Sequence, residues 1–172
     1  MNQEAALLVE RLELSPHPEG GFYKETYRAP QRVNSSSKGG ERCAFTSIYF
    51  LLADDNYSAW HRVKSDESWF FHTGGDLAVY SLVPNEAGVP TLKVQTLGLS
   101  SGRFELTVPG GTWFAAKPVE PNSYVLVSCV VAPGFEFEDF ELADREILTT
   151  FGGEQMDEWP LIQSLLIGAN RG

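Results

Sequence analysis

Residues 59–74 read Ala59-Trp60-His61-Arg62-Val63-Lys64-Ser65-Asp66-Glu67-Ser68-Trp69-Phe70-Phe71-His72-Thr73-Gly74, and their alternation decides the fold. Lys64-Ser65-Asp66 fits a tight three-residue hairpin loop, which sets Val63 opposite Glu67 and His61 opposite Trp69. With a period of two, Ala59, His61, Val63, Glu67, Trp69 and Phe71 then share one face. That face is mostly apolar and so looks inward, carrying one imidazole beside one carboxylate. Buried polar groups need partners, so His61 and Glu67 are expected to hold each other. His72 falls on the opposite face.

The same texture extends in both directions. Short apolar or alternating runs occupy 21–28, 44–52, 58–63, 68–72, 77–83, 91–97, 103–108, 112–116, 124–131 and 135–142. Turn chemistry separates them, for example Thr73-Gly74-Gly75-Asp76, Ser100-Ser101-Gly102 and Pro109-Gly110-Gly111. Many short strands at even spacing argue an all-β sandwich or barrel with antiparallel pairing. Only the ends look helical. Ala5, Leu8, Val9 and Leu12 recur at helix spacing, and Ser15-Pro16-His17-Pro18 stops the pattern. Residues 142–151 and 161–167 read as short helices around Gly152-Gly153, with Pro160 at or near the first turn of the last. With no repeat and no composition break, residues 1–172 are expected to form one domain. Its parts are a helix at about 2–13, a barrel at about 20–142 and a helical tail at about 143–168. Residues 34–40 form its one long loop.

Composition narrows the function. Of 172 residues, 42% are hydrophobic and 12% aromatic, which excludes a disordered acidic tail. A net charge of −10 gives no footprint for phosphate backbones, so neither nucleic acid nor an anionic membrane is expected as a partner. No run approaches the roughly 20 apolar residues of a membrane span. Met1-Asn2-Gln3-Glu4 lacks a basic start, and a cytoplasmic location is expected. Cys43 and Cys129 make no disulfide framework and read as buried, inert thiols.

At residues 61–74 the chain resembles a cupin. His61, Glu67 and Gly74 match the first histidine, the glutamate and the glycine of the first cupin motif, with Val63 at the second histidine's position. Pro109-Gly110-Gly111 resembles the second motif, with Phe114 where its histidine falls. A longer signature is more specific: His17-Pro18-Glu19-Gly20-Gly21-Phe22-Tyr23-Lys24-Glu25-Thr26-Tyr27-Arg28, then Ser47 to Leu52, then His61 to Trp69, then Val131-Ala132-Pro133-Gly134-Phe135. Together these look like the cupin family catalogued as domain of unknown function 985. The resemblance implies a double-stranded β-helix, a jelly-roll barrel with a pocket inside, commonly paired into a homodimer. It brings no settled reaction.

The departures bear on metal. A cupin metal site resembling the family pattern needs three imidazoles and a carboxylate, and Val63 and Phe114 cannot ligate. No metal or other cofactor is therefore expected. His61 can still do proton work as a general base, with Glu67 fixing its tautomer. Metal-free cupins resembling this plan include sugar-nucleotide epimerases, in which a tyrosine can return the proton. Tyr49 and Tyr23 are the candidates here, with Ser47 beside Tyr49 on an alternating strand. Trp69, Phe71 and Phe114 either line an apolar ligand pocket or fill the barrel. Lys24, Arg28, Arg32, Lys38 and Arg42 concentrate charge that either meets an anion such as a sugar phosphate or pairs with the acidic carboxyl end or a second subunit. Residues 135–146 read as a solvated acidic strand with aromatics tucked in. Three functions stay open: a metal-independent isomerase or epimerase acting on a sugar or keto compound, a non-catalytic small-molecule binder in which His61 and Glu67 only anchor ligand or packing, and a metal-dependent cupin enzyme.

Overall fold

In the computed structural model, which describes residues 2–35 and 40–168, the chain opens with helix α1 (Gln3–Leu12). The Asn2 side chain accepts from the Glu4 and Ala5 amides, and Glu13 ends the helix in the left-handed region at φ 55°. The strands follow as β1 (Ser15–Pro16), β2 (Phe22–Arg28), β3 (Arg32–Ser35), β4 (Gly40–Cys43), β5 (Thr46–Ala53), β6 (Ser58–Val63) and β7 (Asp66–Gly74). After them come β8 (Leu77–Pro84), β9 (Pro90–Leu97), β10 (Glu105–Val108), β11 (Trp113–Pro118), β12 (Tyr124–Ala132) and β13 (Phe140–Leu142). Helices α2 (Arg145–Thr150) and α3 (Trp159–Ser164) close the described chain. Of the long loop expected at 34–40, residues 36–39 lie outside the described residues.

Two antiparallel sheets make the barrel. One has six strands in the order β1-β2-β5-β12-β7-β10, the other five in the order β13-β6-β11-β8-β9, and β3-β4 form a separate ribbon. The fold is the double-stranded β-helix expected from the sequence, with short terminal helices. The expected hairpin between β6 and β7 is not formed. β6 pairs with β11 and β13, β7 with β12 and β10, so Lys64-Ser65 turns the corner from one sheet to the other. The Pro109-Gly110-Gly111 turn packs into that corner. The Gly111 amide donates to the Val63 carbonyl at 2.7 Å, and a Cβ at Gly110 would sit 2.4 Å from the Lys64 carbonyl oxygen. The inward parity survives the changed pairing, because alternation along each strand does not depend on its neighbour.

Between the sheets lie Phe50, Trp69, Leu77, Phe114 and Val127. The outer face of the five-stranded sheet is buried as well: Trp60, Tyr80 and Trp113 pack under α2 and α3 against Leu148 and Ile162. The Trp60 indole donates to the Ile162 carbonyl at 2.8 Å. Helix α1 covers the other sheet, setting Ala5 and Leu8 on Leu51, Ala53 and Leu126.

The carboxyl end is more broken than its periodicity suggests. Leu142 belongs to β13, and α2 starts only after Asp144, whose side chain accepts from the Ile147 amide. Residues 135–142 are not one strand, because a 3-10 turn at Phe137–Asp139 draws Asp139 inward onto Arg42. Among the described residues no helix is long and apolar enough to cross a membrane.

Candidate functional site

One cavity of about 140 Å³ opens at the end of the barrel where β2, β5 and the segment before β13 meet. β2 and β5 supply its first wall. Tyr23 lies opposite Phe50 and Glu25 opposite Ile48; then Thr26 bulges out, and Arg28 lies opposite Thr46. Strict alternation from Tyr23 would have sent Tyr27 inward. The extra residue turns Tyr27 out, to stack on Phe45, and brings Arg28 to the cavity. Phe135, Phe137 and Phe140 form an aromatic strap along the opposite side.

Of the residues singled out from the sequence, His61, Glu67 and Tyr23 line this cavity. Tyr49 and Ser47 do not. They share the outer face of β5, where Tyr49 packs with the α1 cluster and edges onto His72. β5 is apolar on both faces because α1 covers it, so hydrophobicity alone does not reveal which face is inner. Trp69 and Phe114 fill the barrel, each 1% exposed, with ring centroids 6.0 Å apart. Phe114 sits 4.1 Å from the His61 ring and so forms a floor under it. Phe71 packs on Phe104.

Two residues absent from the sequence-derived site complete it. The turn His17-Pro18-Glu19-Gly20-Gly21 is held by the Gly20 amide on the His17 carbonyl and the His17 amide on the Gly21 carbonyl. Gly20 has φ 111°, and a Cβ there would meet the Tyr57 carbonyl oxygen at 2.1 Å. This turn carries His17 and Glu19 into the cavity, their side chains each 7% exposed. Glu19 takes the place expected of Glu67 as the direct partner of His61. Its Oε2 lies 3.3 Å from His61 Nε2, and its Oε1 accepts from Ser58 Oγ at 2.8 Å. His61 Nδ1 donates to the Ala59 carbonyl at 2.7 Å, which fixes the hydrogen on Nδ1 and leaves Nε2 facing Glu19. His17 Nδ1 accepts from the Glu19 amide, so its hydrogen is on Nε2.

Burial dominates the electrostatics. It pushes the His61 and His17 imidazoles below their ordinary range, and it pushes the Glu19 carboxyl up. Between Glu19 and His61 both shifts favour a neutral acid sharing its hydrogen with a neutral imidazole. Burial raises Glu67 to about 7; a charge on His61 would oppose this and one on Glu19 would add to it. Cys129 and the Trp69 indole also favour ionised Glu67, although the indole N–H makes no full hydrogen bond among the described residues. The Cys129 thiol is itself driven well above its ordinary range by burial, which leaves it a poor nucleophile.

A barrel of this topology with its polar groups at one end defines the cupin class. The chain belongs to the family described as Cupin superfamily (DUF985), which matches residues 6–143. It is 32% identical over 167 residues to the uncharacterised protein YML079W of Saccharomyces cerevisiae, covering 88% of this chain and 82% of that one. A hypothetical protein from Leishmania major matches with a TM-score of 0.83 at 30% identity, covering 94% of this chain and 98% of that one. Protein SO0799 from Shewanella oneidensis matches with a TM-score of 0.78 at 34% identity, covering 96% and 98%.

The cupin fold raises the question of a metal, and the donor set here does not fit one. Val63 and Phe114 stand at the positions of two ligating histidines, and Phe114 closes the space beside His61 with its ring. His17 Nδ1 accepts from a backbone amide, which puts that ring's hydrogen on Nε2 and leaves neither nitrogen free to ligate. Among the described residues no three His, Cys, Asp or Glu side chains gather as a set that could hold an ion.

Proposed function

We propose that this cupin is a metal-independent isomerase or epimerase that moves a proton on a small hydroxy-carbonyl compound, a sugar or keto compound, bound in the barrel. One observation carries the reading. Glu67, poised at about 7, and His61, with its tautomer fixed by Ala59, face the same small, mostly apolar cavity. Ionised Glu67 takes the proton from the carbon beside the carbonyl. The hydrogen shared by Glu19 and His61 Nε2 goes to the carbonyl oxygen, giving an enediol. Reversal at the neighbouring carbon returns both protons, so the product is an isomer and no oxidant or reductant is needed. This division of labour makes Glu67 the base, the role the sequence suggested for His61, and Glu19 the acid, whose hydrogen His61 Nε2 holds in place. Tyr23 stands edge-on to His17 at 4.5 Å and belongs to the substrate wall. The working unit in this reading is a cytoplasmic homodimer, which sedimentation equilibrium and cell fractionation test directly.

The deciding experiment follows exchange of the carbon-bound proton for deuterium in D2O by NMR, over a panel of three- to six-carbon hydroxy-aldehydes and hydroxy-ketones. We expect one member to exchange, with a rate that rises with pH through a midpoint near 7 as Glu67 ionises. Glu67→Gln and His61→Asn should each lower that rate by about 10²-fold or more, the usual worth of a general acid or base. Rates within a few-fold of wild type in both variants would overturn the proposal.

A further inference from the structure

We infer that the cavity selects an uncharged ligand whose enclosed part has about six heavy atoms, and that it rejects the phosphorylated or carboxylated counterpart. The inference rests on the proton-transfer reading of the same cavity and specifies its substrate. Size is the first constraint. About 140 Å³ is close to the roughly 150 Å³ that encloses a benzene ring, so a nucleotide has no room and a hexose enters only in part.

Charge is the second constraint. Among the described residues Arg28 is the one Lys or Arg lining the cavity, and its guanidinium is spent. Nε and Nη2 donate to the two oxygens of Glu25 at 3.0 and 2.8 Å, and Nη1 donates to Glu136 at 2.7 Å. The remaining donors reach the Phe135 carbonyl at 3.2 Å and Cys43 Sγ at 3.7 Å. All five guanidinium hydrogens thus have partners, and none is left for an anion. Four carboxyl groups, Glu19, Glu25, Glu67 and Glu136, line the same space, and burial disfavours the charged form of its two imidazoles.

The other described cations noted in the sequence lie elsewhere. Lys24 pairs with Glu13, Arg32 with Glu41 and Arg42 with Asp139, while Lys38 lies outside the described residues. Arg28 and Arg42 thus pair with the acidic carboxyl end, as one alternative expected, while Lys24 and Arg32 pair with nearer acids. A net charge of −10 repels an approaching anion further.

Matched probes test the selection on the full wild-type chain: dihydroxyacetone against dihydroxyacetone phosphate, hydroxyacetone against pyruvate, and erythrose against erythrose 4-phosphate. Saturation-transfer NMR reports binding, and deuterium exchange is recorded on the same samples. We expect an uncharged member to bind at least tenfold more tightly than its anionic partner. The double variant Glu25→Gln, Glu136→Gln, at two partly exposed positions, frees Arg28 and should shift that preference at least tenfold toward the anion. Equal or tighter binding of the anionic member by wild type overturns the inference, as does failure of every uncharged member to bind. Uncharged binding without deuterium exchange supports the selection and sinks the proton-transfer reading. Exchange confined to an anionic member does the reverse.

Discussion

Two buried carboxylates of the same fold have opposite characters. Asp139, 4% exposed, receives Arg42 Nε at 2.8 Å and Nη2 at 3.2 Å, with Lys64 Nζ at 3.0 Å. The Arg42 hydrogen bonds, reinforced by Lys64, hold it below the usual carboxylate range. Glu67, 7% exposed, has an imidazole and a thiol for company but no full cation, and burial lifts it to about 7. Burial alone does not decide what a carboxylate does; the presence of a cation does. Asp139 is held charged at neutral pH and ties the strap before β13 to β4 and to the corner after β6. Glu67 can gain and lose a proton near neutral pH.

The largest effect is expected from breaking the cation-bound site. Asp139→Ala leaves Arg42 without its bidentate partner and releases the turn at Phe137–Asp139. The expected loss is about 3 kcal/mol, the low end for breaking a buried pair, because Lys64 can turn to water. Urea unfolding measures it, and a loss under about 1 kcal/mol would mean that Asp139 is not the anchor of the strap.

Glu67 should act with the opposite pH sign. Its folded-state pKa lies above the ordinary 4.5, so the folded chain binds the proton more tightly than the unfolded chain does. Its contribution favours folding below 4.5 and is lost as pH rises through about 7. The full shift corresponds to about 3 kcal/mol at most. Asp139, with its pKa lowered, contributes above its ordinary value and loses that contribution only in acid. His17 and His61, both lowered, disfavour folding below their ordinary 6.5, so the wild-type curve mixes signs. Subtraction isolates the carboxyl: relative to wild type, Glu67→Gln should gain stability steadily between pH 4.5 and 7 in parallel thermal melts. A difference that stays flat with pH would place Glu67 with the paired acids and remove the base from the proposed chemistry.

What the sequence could show follows the same physics. The inward parity of His61, Val63, Glu67 and Trp69 is legible because alternation is a property of a single strand. Their pairing is not, since Lys64-Ser65 serves a hairpin or a sheet-crossing corner equally well and the choice depends on β10–β13, far along the chain. The outward direction of Tyr49 and Ser47 is not legible, because α1 makes both faces of β5 apolar. Arg28 reaches the cavity through a bulge at Thr26 that no glycine announces. His17 and Glu19 lie in a turn, where side-chain direction has no period. The signal that could have found them is two ionisable residues before Gly20-Gly21, inside the stretch that carried the family signature.

On the solvent side lies a carboxylate with a cation but no burial. Glu141 accepts from Arg62 Nε and Nη2, each at 2.7 Å, with side chains 45% and 42% exposed. The same two guanidinium nitrogens engage it, both on Oε2 where Asp139 offers two oxygens, yet water screens the pair and both ends keep their hydration when it opens. Arg62 also has a second hold, its guanidinium lying 4.6 Å above the Trp113 ring. Glu141→Gln should therefore change stability by no more than about 0.5 kcal/mol, measured by urea unfolding beside Asp139→Ala. A cost near that of Asp139→Ala would show that the cation alone sets the worth of these carboxylates. A small cost would leave burial and pairing as the two separate conditions that divide structural acids from the one poised to transfer a proton.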